Sequence, residues 1–263
     1  MLGDVKPAQG DGLYAALEDN QGRLWKRTRK ILGPDAAWPE ALTLATRWRR
    51  LDNGGDTDIR EWADEAGNPR VVILDTLAGV RPDRTNRDDI YTGDYKALRE
   101  LHAWANQTGI AVMVLHHTRK MDADDPIDTI SGSLGLAGCA DTSAILSRNQ
   151  KGTTLYIRGR DVEEQEYAVT FNPDTCRWTI LGDAAEVQRS YAQGKLLMAL
   201  EEAAELMSPA DLTAVTGLTR NNVDQRLHHM QRDGEIIKVS RGRYAHAKRT
   251  DLISSDRPKI RKM

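Results

Sequence analysis

The sequence predicts an α/β protein with a mostly parallel sheet, an antiparallel extension of that sheet, and a smaller C-terminal unit. Three observations predict it. Short continuous apolar runs alternate with helical patterns from Gly12 to Leu115, which is how parallel strands covered on both faces read. After Ser131-Gly132-Ser133 the segments become short, closely spaced and β-rich. Beyond Gly182-Asp183-Ala184-Ala185 three helical patterns and a short hairpin follow. A chain of 263 residues that is 40% apolar and 29% charged can bury a sizeable core of this kind.

In chain order, Gly12 to Leu17 reads as a strand, and a basic helix follows over about Gln21 to Leu32. Leu42 to Ala45 is a second strand, Asp56 to Ala66 a helix, and Val71 to Leu74 a third strand. Tyr91, Tyr95, Leu98, Leu101 and Trp104 recur at helical spacing within Asp88 to Gln107, ahead of the strand Ile110 to Leu115. The β-rich part comprises Thr142 to Leu146, Thr153 to Ile157, Tyr167 to Phe171 and Arg177 to Leu181, with turns at Asn149 to Gly152 and Asn172 to Asp174. The expected division is residues 1–184, residues 185–247 and a basic, disordered tail over 248–263. Within the second part, helices over about Val187 to Glu202, Ser208 to Thr216 and Thr219 to Arg232 precede a hairpin of Glu235 to Val239 and Arg243 to His246. Ser208 and Pro209 supply an N-cap and first-turn pair.

Composition excludes several function classes. No apolar run approaches the length of about 18 residues that a membrane span needs, and Met1 to Asp11 lacks the regions of a signal peptide. The expected compartment is cytoplasmic, with no membrane partner. Cys139 and Cys176 have no metal-ligand spacing, so both read as buried small residues. From Glu186 onward there are 14 Lys/Arg against 10 Asp/Glu, a net +4 that leaves −6 for the first 185 residues. That asymmetry favours the C-terminal part as a nucleic-acid contact, although a surface excess of cations gives the same count.

Four strand ends carry polar residues that could do chemistry. Asp75 closes Val71-Val72-Ile73-Leu74 and would stand at the carboxyl edge of the sheet, where ligands of open α/β sheets bind. It is a candidate magnesium acid or a plain strand-end aspartate. Glu18, after Ala15-Ala16-Leu17, could polarise a water as general base, or Glu18 or Asp19 could cap the following helix. His116 and His117 end Val114-Leu115, where hydrogen-bonding side chains can sense a γ-phosphate. Arg158 and Arg160 flank Gly159 and could reach a phosphate on the same or a neighbouring subunit, or pair with Asp161, Glu163 and Glu164.

In this order the pieces resemble the RecA-like ATPases of the plasmid RepA and DnaB replicative-helicase kind, over about Asp11 to Ile180. The most specific stretches are Leu13 to Asn20, Val71 to Leu77, Leu115 to Lys120, Ser131 to Asp141 and Leu155 to Val162. The resemblance implies ATP and Mg2+ as cofactors. It assigns Glu18 to water activation, Asp75 to the metal-associated acid, and His117, or else His116, to coupling γ-phosphate with the DNA loops. Arg160 then looks like an arginine finger and Arg158 its companion. It further implies a homo-oligomeric ring or a related helicase subunit as partner. Loops over Gly79 to Thr92 and Arg119 to Gly138 are similar to pore loops, with Arg81, Arg84, Arg87, Arg119 and Lys120 as single-strand contacts.

The family's Gly-x4-Gly-Lys-Ser/Thr loop does not occur within these residues, since Gly194-Lys195 is followed by Leu196. ATP use is therefore conditional on a phosphate loop from elsewhere. The region from Val187 to Ala247 resembles winged-helix domains. There Asn221 and Gln225 could read bases while Arg220, Arg241 and Arg243 hold phosphates, or the module docks a protein. Two functions stand at this point: a RepA-like replication or recombination ATPase subunit, and a non-enzymatic DNA-binding or helicase-modulating protein.

Overall fold

Alternate residues of β1 (Asp11–Ala16) are fully apolar on one side: Leu13 and Ala15 have no exposed surface. In the computed structural model, which describes residues 6–82, 90–119, 125–130, 134–149 and 152–255, this strand is central to a parallel sheet. The basic helix α1 (Gln21–Leu32) starts where the Asn20 side chain accepts the Arg23 N–H at 2.9 Å, so Asn20, rather than Glu18 or Asp19, is the cap. The chain continues through β2 (Leu42–Ala45), α2 (Gly55–Glu65), β3 (Pro69–Asp75), the one-turn α3 (Leu77–Val80), α4 (Ile90–Thr108) and β4 (Ala111–Leu115). Sheet order is β2-β1-β3-β4, and all three pairings are parallel.

Register places Leu13, Val72 and Val112 on one line and Ala15, Leu74 and Val114 on the next. These line the core together with Ile59 of α2, Leu77 and Val80 of α3, and Leu101 and Trp104 of α4. Connections β2-α2-β3 and β3-α4-β4 step the same way across the sheet. Right-handed crossovers then put both helices on this face.

After β4 the chain forms an isolated bridge, Thr118 to Ile130, then α5 (Leu134–Cys139) and four strands: β5 (Thr142–Asn149), β6 (Gly152–Gly159), β7 (Gln165–Asn172) and β8 (Arg177–Asp183). The expected antiparallel extension is corrected here. β5 to β8 form a separate four-stranded sheet, in sequence order, with no pairing to β4 among the described residues. Each strand finds its neighbour through a short local connection, and β5 pairs β6 antiparallel over its whole length from Thr142/Gly159 to Asn149/Gly152.

The chain divides into two compact units, Met1–Leu181 and Gly182–Met263. The second holds α6 (Ala184–Glu202), α7 (Pro209–Thr216), α8 (Arg220–Arg232), the antiparallel pair β9 (Ile236–Ser240) and β10 (Arg243–His246), and α9 (Thr250–Ser255). Ser208 and Asp211 form a reciprocal capping box on α7, and Gly217 ends it with φ of 70°. Leu196, Leu200, Leu212, Val223, Leu227, Met230 and Ile236 make its core. Helix α9 stands in the stretch expected to lack structure. It follows Arg249, whose guanidinium donates to the carbonyls of Glu201 and Ala203 and pairs with Asp251. Residues 256–263 lie outside the described residues. No helix among the described residues is long and apolar enough to cross a membrane.

Candidate functional site

Parallel strands end together at one edge, so polar residues placed just after β1, β3 and β4 meet there. Glu18 Oε1 accepts a hydrogen bond from Thr76 Oγ1 at 2.8 Å and lies 3.4 Å from His117 Nε2. Three strand ends, separated by up to 99 positions in sequence, thus converge on one carboxylate. The Thr76 hydroxyl, and secondarily His117, hold the Glu18 carboxyl below the ordinary glutamate range. It is ionised at neutral pH, as a base must be. His117 is 71% exposed while His116, half-buried, precedes it.

Asp75 Oδ2 accepts from the Tyr14 hydroxyl at 2.7 Å, across one strand pairing. Burial first, and then the adjacent Asp75 carboxylate, push the Tyr14 phenol up to about 12. Tyr14 therefore stays protonated and donating. The Asp75–Thr76 peptide bond is cis. Gly79 packs closely nearby: a Cβ there would lie 2.7 Å from Leu17 Cδ1, so the Leu17 side chain, directly before Glu18, would have to shift. Asp19 pairs with Arg23 and Arg27 at 2.6 and 2.9 Å, and Arg23 also donates to the Glu18 carbonyl at 2.8 Å, so α1 is tied to the Glu18 backbone while the Glu18 carboxylate faces Thr76 and His117.

Sequence reasoning missed Thr76 and Tyr14. Thr76 is the first residue past β3 and is buried, a polar residue out of place in a strand-to-helix turn. That was its available signal.

The arginines are anchored elsewhere than expected. Arg158 donates to Asp125 Oδ2 at 3.0 Å, and Arg160 to Asp141 Oδ1 at 3.1 Å. Their acids are thus Asp125 and Asp141, not Asp161, Glu163 and Glu164, because the chain before β5 folds against the end of β6. Gly159 makes this approach possible: a Cβ there would stand 2.8 Å from the Asp141 carbonyl that accepts the Arg160 N–H. Asp141 also holds His102 Nε2 at 3.0 Å. Arg119 is exposed, its N–H donating to the Thr129 carbonyl at 2.6 Å; Lys120, Arg84 and Arg87 lie outside the described residues. Arg81 is half-buried, and its carbonyl accepts from Arg50.

In the second unit Asn221 and Gln225 are exposed on α8 and Arg241 is exposed between β9 and β10. Arg220 pairs with Asp224 at 2.8 Å and Arg243 with Asp211 at 3.1 Å.

The residues fit one half of a magnesium-nucleotide site. Asp75 offers a hard oxygen at the sheet edge and Glu18 an ionised base. They do not fit the other half: the sequence holds no glycine-rich loop with its lysine, and no group of three or more metal-ligating side chains occurs among the described residues.

A family described as an AAA domain matches residues 1–123. Among solved structures, one titled as an ATPase domain is similar at 15% identity and a TM-score of 0.52, covering 65% of this chain and 75% of that one. A second, titled as a DnaB-like replicative helicase and its interactions with primase, is similar at 13% identity and 0.51, covering 65% of this chain and 51% of that one. The chain thus spans about half the length of the second structure. The curated proteins contain no match. At these identities the likeness concerns the fold: this chain is an α/β protein whose parallel sheet is similar to the RecA-like ATPase domains of DnaB-like helicases.

Proposed function

We propose that this chain is a subunit of a RepA-like replicative-helicase, or DNA-replication and recombination, ATPase that binds DNA and hydrolyses ATP once a phosphate loop is supplied to it. The observation that carries the reading is the convergence of Glu18, Thr76 and His117 at the carboxyl edge beside Asp75. In this reading Glu18 is the general base toward water, Asp75 the acid of the magnesium site, and His117, with His116 behind it, the γ-phosphate sensor. Arg160 and Arg158 serve the site of a neighbouring subunit in a ring. Both are exposed ion pairs, worth little in water and open to exchange for a phosphate.

Arg119 and Lys120 would contact single-stranded DNA. The second unit would act as a winged helix in the cytoplasm: Asn221 and Gln225 face solvent on α8 and can read base edges, while Arg220, Arg241 and Arg243 hold phosphates. A nucleotide titration tests this. The chain alone should bind no Mg-ATP at micromolar levels, and with a supplied strand, phosphate loop and helix it should bind and hydrolyse ATP. Glu18→Gln should then lower hydrolysis by about 100-fold or more.

The alternative is a non-enzymatic DNA-binding protein that modulates a related helicase by offering Arg160. The departure from a complete nucleotide site favours it. Continued failure to bind ATP with the segment present, together with tight duplex binding that survives Arg160→Ala, would select it.

A further inference from the structure

We infer that the outward side of α1, together with the turn between β7 and β8, is a binding surface for single-stranded nucleic acid. It is built wholly from the first unit, uses none of the side chains that meet at Glu18, and holds whether or not the chain turns over ATP.

The charge of α1 is one-sided. Its 12 residues include Arg23, Lys26, Arg27, Arg29 and Lys30 and no acid, within a stretch, residues 1–185, whose net charge is −6. Leu24 is the buried residue of the helix, and Arg23, Lys26 and Lys30, at spacings of three and four, are exposed on the side away from it. Asp19 neutralises Arg23 and Arg27. Among the described residues no carboxylate pairs with Lys26, Arg29 or Lys30, nor with Arg177 at the start of β8. Asp35 and Asp174, in the adjoining turns, form no ion pair with any of the four.

Backbone carbonyls hold three of these cations instead. Arg29 Nη1 donates to the Pro34 and Ala36 carbonyls at 3.1 and 2.7 Å, Lys30 Nζ to the Pro173 carbonyl at 2.9 Å, and Arg177 Nη2 to the Ile31 carbonyl at 2.8 Å. A neutral carbonyl orients a cation without cancelling its charge. The contacts of Lys30 and Arg177 join the end of α1 to the β7–β8 turn, so cations far apart in sequence share one surface whose counter-charge must come from outside the protein. A phosphate backbone supplies it.

Aromatic rings select the kind of polyanion. Trp25, beside Lys26, is 55% exposed, and the Arg29 guanidinium lies over its ring at 5.5 Å from the centroid. Phe171 and Trp178, exposed on the two strands that flank the same turn, have their centroids 5.0 Å apart. Open rings beside unneutralised cations stack bases while the cations follow the phosphates. A duplex keeps its base faces inside, and an acidic peptide has none, so a single strand is the occupant that satisfies both features.

The test uses the full chain and a fluorescently labelled oligothymidylate of about 20 nucleotides, followed by anisotropy over a range of salt concentrations. The chain should bind it, more weakly as salt rises. Lys26→Ala combined with Lys30→Ala should lower the slope of log K against log salt by about 1.4, since each phosphate contact on a single strand contributes about 0.7. Trp25→Ala should weaken binding about tenfold or more, and Trp25→Phe should bring it back to within about threefold. Thermal melts matching the parent chain confirm that the variants are folded. Slope and affinity unchanged in these variants overturn the proposal. Displacement of the strand by polyglutamate as effective as that by unlabelled oligothymidylate also overturns it, and marks α1 as a contact for an acidic protein. Loss of binding in Arg119→Ala but not in the α1 variants would keep the loop contact of the functional reading and reject this surface; loss in the α1 variants alone would do the reverse.

Discussion

Val72 and Leu74 of β3 are wholly buried, Ile73 between them is half-buried, and its register partner Met113 on β4 is more than half exposed. The two faces of one sheet, built from alternate residues of the same strands, are therefore unequal. The covered face, with α2, α3 and α4 against it, holds the fold of the first unit. The other face, on which Met113 is exposed, runs to the carboxyl edge where Glu18, Thr76 and His117 meet.

Substitutions along β3 and β4 should separate the two faces most sharply. Leu74→Ala removes fully buried volume and is expected to cost about 3 kcal/mol, while Met113→Ala should stay within about 0.5 kcal/mol. Urea unfolding of the first unit, followed through a label placed there, checks both; equal losses would erase the distinction. Gly79→Ala drives a Cβ toward Leu17 where the covered face turns to the site, and should cost about 1 to 2 kcal/mol in the same assay.

Thr76→Val removes the donor to Glu18. The Glu18 carboxyl should then titrate closer to an ordinary glutamate, with a smaller rise for His117→Ala, as read by carboxyl NMR. The sign follows from the depressed folded value: stabilisation is present above the unfolded glutamate pKa and is lost as pH falls through the lower folded one. A Glu18 titration unmoved in Thr76→Val would remove Thr76 from the site. Smallest of all, Asp141→Asn releases Arg160 from an exposed pair and should change stability by less than about 1 kcal/mol. A larger loss would make Arg160 a structural residue.

The parts of this molecule legible in the sequence are those set by local pattern. Val71 to Asp75 reads as a buried strand ending in an acid because four apolar residues run without a break. Glu18, Asp75 and His117 could be grouped because parallel strands end at one edge. Long-range partners were not legible: Thr76 reaches Glu18 across 58 positions and Tyr14 reaches Asp75 across 61, and neither spacing leaves a periodic trace. The same holds for the acids of Arg158 and Arg160, since Asp125 and Asp141 lie on the far side of a hairpin while Asp161 is adjacent in sequence. Hairpin signals located β5 to β8 but carry no information on whether β5 joins β4, so the separate sheet had to be seen. Helix α9 follows from Arg249 reaching back to Glu201, 48 positions earlier, which polar composition alone conceals.

Site-resolved amide exchange of β3 and β4 in the isolated chain tests the unequal sheet most directly. Val71 to Asp75, paired on both sides, should exchange slowly at every residue, while alternate amides of Ala111 to Leu115, paired on one side among the described residues, exchange at rates near those of open chain. Uniform slow exchange across both strands in the chain alone would contradict the account.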